Sequence, residues 1–150
     1  TELLFRGYLY GMRYDLNKLA PDVFVNAKVP SNLYVEELNE NKICLSMNGA
    51  GEICNRDIEI LSVGSVLLRP KLKQIFHDPL IENFHYISFE NGSTPKEQLE
   101  IIRAKYEEIK TDHDLLNTVA NNGLDWYKRN GTINANVEIL KKIININKLK

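Results

Sequence analysis

The chain has 150 residues, 43% of them hydrophobic and 26% charged, with a formal net charge of −1. That balance fits one globular domain with a sizeable core and argues against a disordered chain. A near-neutral charge gives no electrostatic footprint for a nucleic acid or an anionic membrane, and no apolar stretch reaches membrane-spanning length, so any anion site is local.

In chain order, short apolar runs alternate with helical patterns. The first strand candidate, Leu3 to Phe5, leads through FRGYLYGMRYDL into a helix over Met12 to Leu19. A second strand, Val23 to Asn26, precedes a helix over Asn32 to Asn39; a third, Ile43 to Met47, runs through NGAGEICNRDIEIL into a helix over Asn55 to Val63. Val66 to Leu68 is the fourth strand, followed by a short helical pattern over Lys71 to Phe76, and His85 to Phe89 is the fifth. This order predicts an α/β, Rossmann-like fold: a mostly parallel sheet of about five strands with helices on both faces. The turn-rich ENGSTP then offers Ser93 or Thr94 as an N-cap, and only helices follow: Lys96 to Lys110, His113 to Arg129 and Ile133 to Ile146, with Asn130-Gly131 closing the second. Residues 91–150 thus form a helical C-terminal part of a single domain spanning 1–150, without internal repeats. The closing KKIININKLK reads as composition bias. Cys44 and Cys54 are spaced like neither a zinc site nor a disulfide framework and read as buried free thiols. The chain opens on Thr1 directly before a strand, which reads as a piece of something longer.

In a doubly wound sheet the ligand lies outside the carboxyl ends of the strands. Gly7, Gly11 and Arg13 follow the first strand, and Asn48, Gly49, Gly51 and Arg56 follow the third. Glycines there let backbone N–H groups approach a phosphate, and an arginine adds charge-assisted hydrogen bonds; two such loops facing one crevice suit a diphosphate. Arg56 sits in the first turn of its helix, where the macrodipole favours Asp or Glu, an arrangement that becomes favourable if an anion docks. On this reading Arg56→Ala weakens nucleotide binding and leaves the fold nearly unchanged. Glu59, one turn on, suits ribose hydroxyls.

Simpler readings exist for each. The glycines serve positive-φ turns; Arg56 pairs with Glu59; Arg13 and Asp15 are solvated surface. His85 and His113 lack a visible acid or nucleophile partner, and the adjacent His77 and Asp78 do not face each other on a helix. Trp126 and Tyr127 fall in an apolar stripe with Leu116, Val119, Ala120 and Leu124 and read as packing. The Asn91-Gly92-Ser93 and Asn130-Gly131-Thr132 glycosylation patterns arise easily in an Asn-rich chain.

Taken together, FRG, then Arg13 with an acid two residues on, then NGAGEICNRDIEILSVGSVLLRP, ENFHYISF and a helical tail to NGLDWYKR resemble the C-terminal, donor-binding half of GT-B glycosyltransferases. The likeness is to the CAP10-like protein O-glucosyltransferase group and to CgeB-like domains. It covers nearly the whole chain and is strongest from Lys42 to Phe89. The resemblance implies that Arg13 and Arg56 contact the donor diphosphate, that Arg6, Gly7 and Asn48 to Gly51 line the nucleotide crevice, and that Glu59 meets the ribose. Where many retaining members carry a first glutamate this chain has Gly51, with Glu52 beside it as the counterpart near the donor sugar. Gly64-Ser65 matches the turn before the next strand.

The implied activity is transfer of a sugar from a nucleotide-diphosphate sugar to a protein or glycan acceptor, without a metal and without a cofactor. Acceptor and catalytic base belong to an N-terminal acceptor domain of the same polypeptide, so no catalytic residue is assigned here. Two other classes are weighed. A phosphoacceptor receiver domain needs an aspartate at the end of the third strand, where this chain has Asn48. A non-catalytic interaction domain keeps the fold without the chemistry, and only binding data separate it from a transferase.

Overall fold

Alternating residues of the middle strands face two different cores. The structure, a computed structural model, describes residues 3–73 and 77–148. Its strands are β1 (Phe5–Arg6), β2 (Phe24–Val25), β3 (Ile43–Leu45), β4 (Val66–Pro70) and β5 (Ile87–Phe89). Its helices are α1 (Met12–Leu19), α2 (Ser31–Glu40), α3 (Asn55–Ser62), α4 (Pro95–Ile109), α5 (His113–Asn130) and α6 (Ile133–Lys148). Ile43, Leu45, Val66 and Leu68 pack with Leu16 of α1, Leu99 and Ile102 of α4, and Leu116 and Val119 of α5. Cys44 and Leu67, one residue out of phase, pack with Leu38 of α2, Ile60 and Leu61 of α3, and Trp126 of α5. Period-two burial on both faces is what a parallel sheet covered by crossover helices requires.

Every strand pair is parallel: Phe5 opposite Phe24, Ile43 opposite Val66, Leu68 opposite Ile87. The sequence predicts one five-stranded sheet; the structure has two sheets, β1-β2 and β3-β4-β5. Among the described residues a single parallel bridge, Leu4 to Cys44, and one backbone bond, Leu45 N–H to Leu4 O at 3.3 Å, set them edge to edge. The strands therefore run β2-β1-β3-β4-β5, and the order reverses between β1 and β3. β1, β2, β3 and β5 are shorter than the runs read from the sequence, whereas the central β4 extends past Leu68 to Pro70.

The helical pattern over Lys71 to Phe76 is not realised at Lys71–Lys73, and residues 74–76 lie outside the described residues. The three N–H groups are committed sideways: Lys71 to Phe89 O at 3.2 Å, Leu72 to the Tyr86 hydroxyl at 3.2 Å, Lys73 to Glu52 Oε1 at 2.6 Å. In the helical part Thr94 is the cap of α4, accepting from Glu97 N–H at 3.2 Å, while Glu97 reaches back to Ser93 N–H at 2.7 Å and Pro95 opens the helix. Among the described residues no helix is long and apolar enough to cross a membrane.

α5 lies so close to β4 and α3 that a Cβ at Gly123 would stand 2.8 Å from Leu61 Cδ2 and 2.9 Å from His85 O. Gly123→Ala is expected to destabilise by about 1–3 kcal/mol through overpacking, read as a lower urea midpoint. His85, buried beside this contact, accepts Ile81 N–H on Nδ1 at 2.9 Å and is neutral there. Burial holds its pKa below the ordinary 6.5, with Arg129 acting the same way and Asp78 against. Below that ordinary value the unfolded chain takes up a proton that the folded one refuses. Stability is thus complete above it and falls as pH is lowered through and below it. Urea midpoints between pH 8 and 5.5 should show this decline, and His85→Gln should flatten it.

Candidate functional site

A cleft of about 540 Å³ opens at the carboxyl ends of β1, β2 and β3. Its walls come from Gly7, Tyr8 and Tyr10 after β1, Asn26 to Val29 after β2, Gly49 and Ala50 after β3, and Tyr34 of α2; Cys54 to Arg56 bring in the N-terminus of α3. This is the switch point of the strand order, where neighbouring loops leave in opposite directions and must part. The first N–H groups of α3 have no intrahelical acceptor, and they belong to residues of this wall.

Six of the residues singled out in the sequence meet here: Arg6, Gly7, Arg13, Gly49, Arg56 and Glu59. Asn48, Gly51 and Glu52 instead line an adjoining hollow of about 320 Å³, with Lys71, Lys73 and Asn91; Gly49 and Ala50 are common to both. Gly11 lines neither. At φ +53° it makes the left-handed turn that starts α1, the conformational reading of that glycine. Gly49 is closely approached: a Cβ there would come 3.2 Å from the Tyr10 hydroxyl, 3.5 Å from Cys54 Cβ and 3.7 Å from Arg13 Nη2.

The arginines are engaged from below. Arg56, 7% exposed, donates from Nε to Leu45 O at 2.7 Å, from Nη1 to Arg6 O at 2.5 Å and Tyr34 Oη at 3.0 Å, and from Nη2 to Leu4 O at 3.2 Å. Those carbonyls belong to β1 and β3, so the guanidinium spans the seam between the two sheets. Arg13, 8% exposed, donates from Nη2 to Met47 O at 2.5 Å and Asn48 O at 2.7 Å, and from Nη1 to Tyr8 O at 3.4 Å. Its Nε is buried with no partner. Both guanidiniums lie 5.0 Å from the centroid of the Phe5 ring.

Their counter-charges are missing. Among the described residues the arginine ion pairs are Arg6–Glu37 at 2.7 Å, Arg69–Asp57 at 2.8 Å and Arg129–Asp78 at 3.5 Å; neither Arg13 nor Arg56 has one. The expected alternative, an Arg56–Glu59 pair, is not formed either. Glu59 Oε2 accepts from the Tyr34 hydroxyl at 3.0 Å, and Tyr34 in turn accepts from Arg56. Burial first, with Glu59 adding and Arg56 opposing, raises the Tyr34 pKa far above its ordinary value, so the hydroxyl remains a donor to Glu59. Arg6 is neutralised by Glu37 and also donates to Ala27 O at 2.9 Å.

Three features went unread in the sequence. Tyr34 joins Arg56 to Glu59; Tyr8 and Tyr10, 68% and 48% exposed, put aromatic rings on the rim. Arg69, with 0% exposure in the middle of the sheet, binds Asp57, the Asn48 side chain and Glu52 O. The visible signal for it was an arginine ending the apolar run VLL. Of the two cysteines, Cys44 is buried as read, its pKa pushed up to about 11 chiefly by burial, whereas Cys54 is half-buried in the cleft wall. Asp112-His113-Asp114 has the form of an Asp-x-Asp metal motif, but Asp112 caps α5 by accepting Leu115 N–H at 3.0 Å, and none of the three lines the cleft. Comparison with protein-family models and with curated proteins finds no match to this chain.

The geometry reverses one expectation. Arg56→Ala would strip the Arg6 and Leu45 carbonyls of this donor, while Leu4 O keeps Leu45 N–H, and an orphaned buried acceptor costs about 1–3 kcal/mol. That exceeds the roughly 0.3–1 kcal/mol gained by removing a cation from a helix N-terminus. Arg56→Ala should therefore lower the urea midpoint clearly, while Glu59→Gln, at an exposed position, should leave it almost unmoved.

Proposed function

We propose that this chain is the donor-binding half of a glycosyltransferase, and that the cleft between β1 and β3 takes the nucleoside diphosphate of a nucleotide sugar. The observation that carries the reading is the pair of buried guanidiniums, Arg13 and Arg56, left without a carboxylate at the floor of an open cleft. A buried charge is costly unless paired, and an anionic ligand is the partner that would pair these two. The position at the switch point, Gly49 with no side chain to block approach, and the N-terminus of α3 all support a phosphate-bearing ligand.

The division of labour follows from the hydrogen bonds. Arg56 has used four of its five N–H donors on the protein, so it acts on the diphosphate mainly through its charge. Direct contacts fall to backbone N–H groups of the loop after β3 and of α3. Glu59, at the rim and oriented by Tyr34, accepts from ribose hydroxyls, and Tyr8 and Tyr10 offer faces to the base. In sugar transfer the same positive floor stabilises the charge that develops on the leaving diphosphate. The acceptor, protein or glycan, and the catalytic base come with an N-terminal acceptor domain; no cofactor takes part.

A second reading, a nucleotide-like fold kept only as an interaction module, draws on the fact that Arg6 and Arg56 are already occupied by protein groups. Calorimetric titration with a panel of nucleosides, nucleoside diphosphates and nucleotide sugars separates the two. The donor reading expects saturable binding of at least one nucleoside diphosphate. It also expects that ligand to bind about ten- to a hundredfold more tightly than its nucleoside, matching roughly 1.5–3 kcal/mol for charge-assisted contacts. Absence of binding by every member at millimolar concentration would favour the interaction module.

A further inference from the structure

The loop from Asn48 to Cys54 puts Gly49, Ala50 and Cys54 in the cleft wall, and within it Gly49 N–H donates to Gly51 O at 3.0 Å. Its conformation is set from outside. On the cleft side Arg13 grips the carbonyls of Met47 and Asn48. On the far side Arg69 reaches from the end of β4 to the Asn48 side chain at 2.9 Å and to Glu52 O at 2.6 Å. The same guanidinium donates to Asp57 Oδ2 at 2.8 Å, and that oxygen also receives Cys54 N–H at 2.8 Å, which fixes the point where the loop becomes α3. One planar fork thus ties together a strand end, both ends of the loop and a helix start.

Two further facts separate Arg69 from Arg13 and Arg56. It has 0% exposure, so it touches nothing that enters the cleft. It is also neutralised in place: its side chain and that of Asp57 are each 1% exposed, so it needs no ligand to balance it. A residue with no access to ligand, no unpaired charge, two contacts to the loop and one to the helix start behind it has one thing left to influence, the position of that loop.

We infer that Arg69 is a positioning residue: it holds residues 48–54, and with them the start of α3, in the shape that presents Ala50 N–H and the first N–H groups of α3 to an anion. The affinity part of this inference rests on the donor-nucleotide reading; the structural part does not. Lysine keeps the charge opposite Asp57 but replaces the fork by a single ammonium, which cannot hold Asp57, Asn48 and Glu52 in their present directions at once.

Hydrogen exchange of amides 49–53 is the direct readout, measured in the wild type, Arg69→Lys, Asn48→Ala and Gly123→Ala. Gly123→Ala weakens the fold at a remote contact and serves as the control for general destabilisation. Losing one strut corresponds to about tenfold faster exchange of these amides in Arg69→Lys and in Asn48→Ala, with little change in Gly123→Ala. A nucleoside diphosphate that binds the wild type should bind Arg69→Lys about tenfold more weakly. Loop exchange in Arg69→Lys and Asn48→Ala equal to that in Gly123→Ala would overturn the inference. If Arg69→Lys does not fold, Asn48→Ala decides by the same measure. If no nucleoside diphosphate binds the wild type, the donor reading falls, and the exchange comparison still decides the role of Arg69.

Discussion

A guanidinium does the work of a backbone ladder between β1 and β3. At the switch point the two strands must part, because the loops that leave them turn to opposite sides. Parting strands strand their carbonyls, and buried carbonyls without donors are expensive. Arg56 supplies Leu4, Arg6 and Leu45 at once, and Arg13 supplies Tyr8, Met47 and Asn48 just above. The space between the sheets, the cleft above it and the loops around it exist because these two side chains tolerate the gap.

Satisfying carbonyls with arginine brings in charge that water or an amide side chain would not. The partial negative charge of carbonyl oxygens and the face of the Phe5 ring, 5.0 Å from each guanidinium, offset part of it. Arg69 shows how the same chain handles a buried guanidinium away from the cleft, with a carboxylate on it at 2.8 Å. The contrast places the excess positive charge on the cleft side, beneath the N-terminus of α3, whose dipole has the same sign. Strand topology, side-chain chemistry and helix orientation converge on one sign of potential at one place.

Much of this was legible from the chain. Period-two apolar runs separated by helical patterns marked β3, β4 and the helices flanking them, and α1 spans Met12–Leu19 as read. Loops after strands one and three pointed to the carboxyl end of the sheet, and Arg13, Gly49, Arg56 and Glu59 line one cleft there. What sequence spacing could not reveal were contacts between distant segments. Two of the carbonyls that Arg56 serves lie 50 and 52 positions upstream, and Arg69 meets Asn48 across 21 residues. Glu59 sits one helical turn from Arg56, so local spacing suggested a pair; Tyr34, brought in by α2, took the carboxylate instead. The helical pattern after Pro70 is not realised at Lys71–Lys73 for the same reason, since Phe89, Tyr86 and Glu52 claimed their N–H groups.

The seam has a thermodynamic side. Among the described residues one bridge and one long backbone bond link the β1-β2 sheet to the β3-β4-β5 sheet, so their association is carried largely by side chains, by Arg56 and by the core that Phe5 and Phe24 share with Leu45 and Leu68. A ligand that touches both sides meets both sheets, so its affinity depends on how they fit. Substitutions that never meet the ligand, such as those that repack α1 against α4 or α2 against β3, then tune binding through that fit alone. The two walls of the cleft thus belong to different sheets whose fit the rest of the core sets.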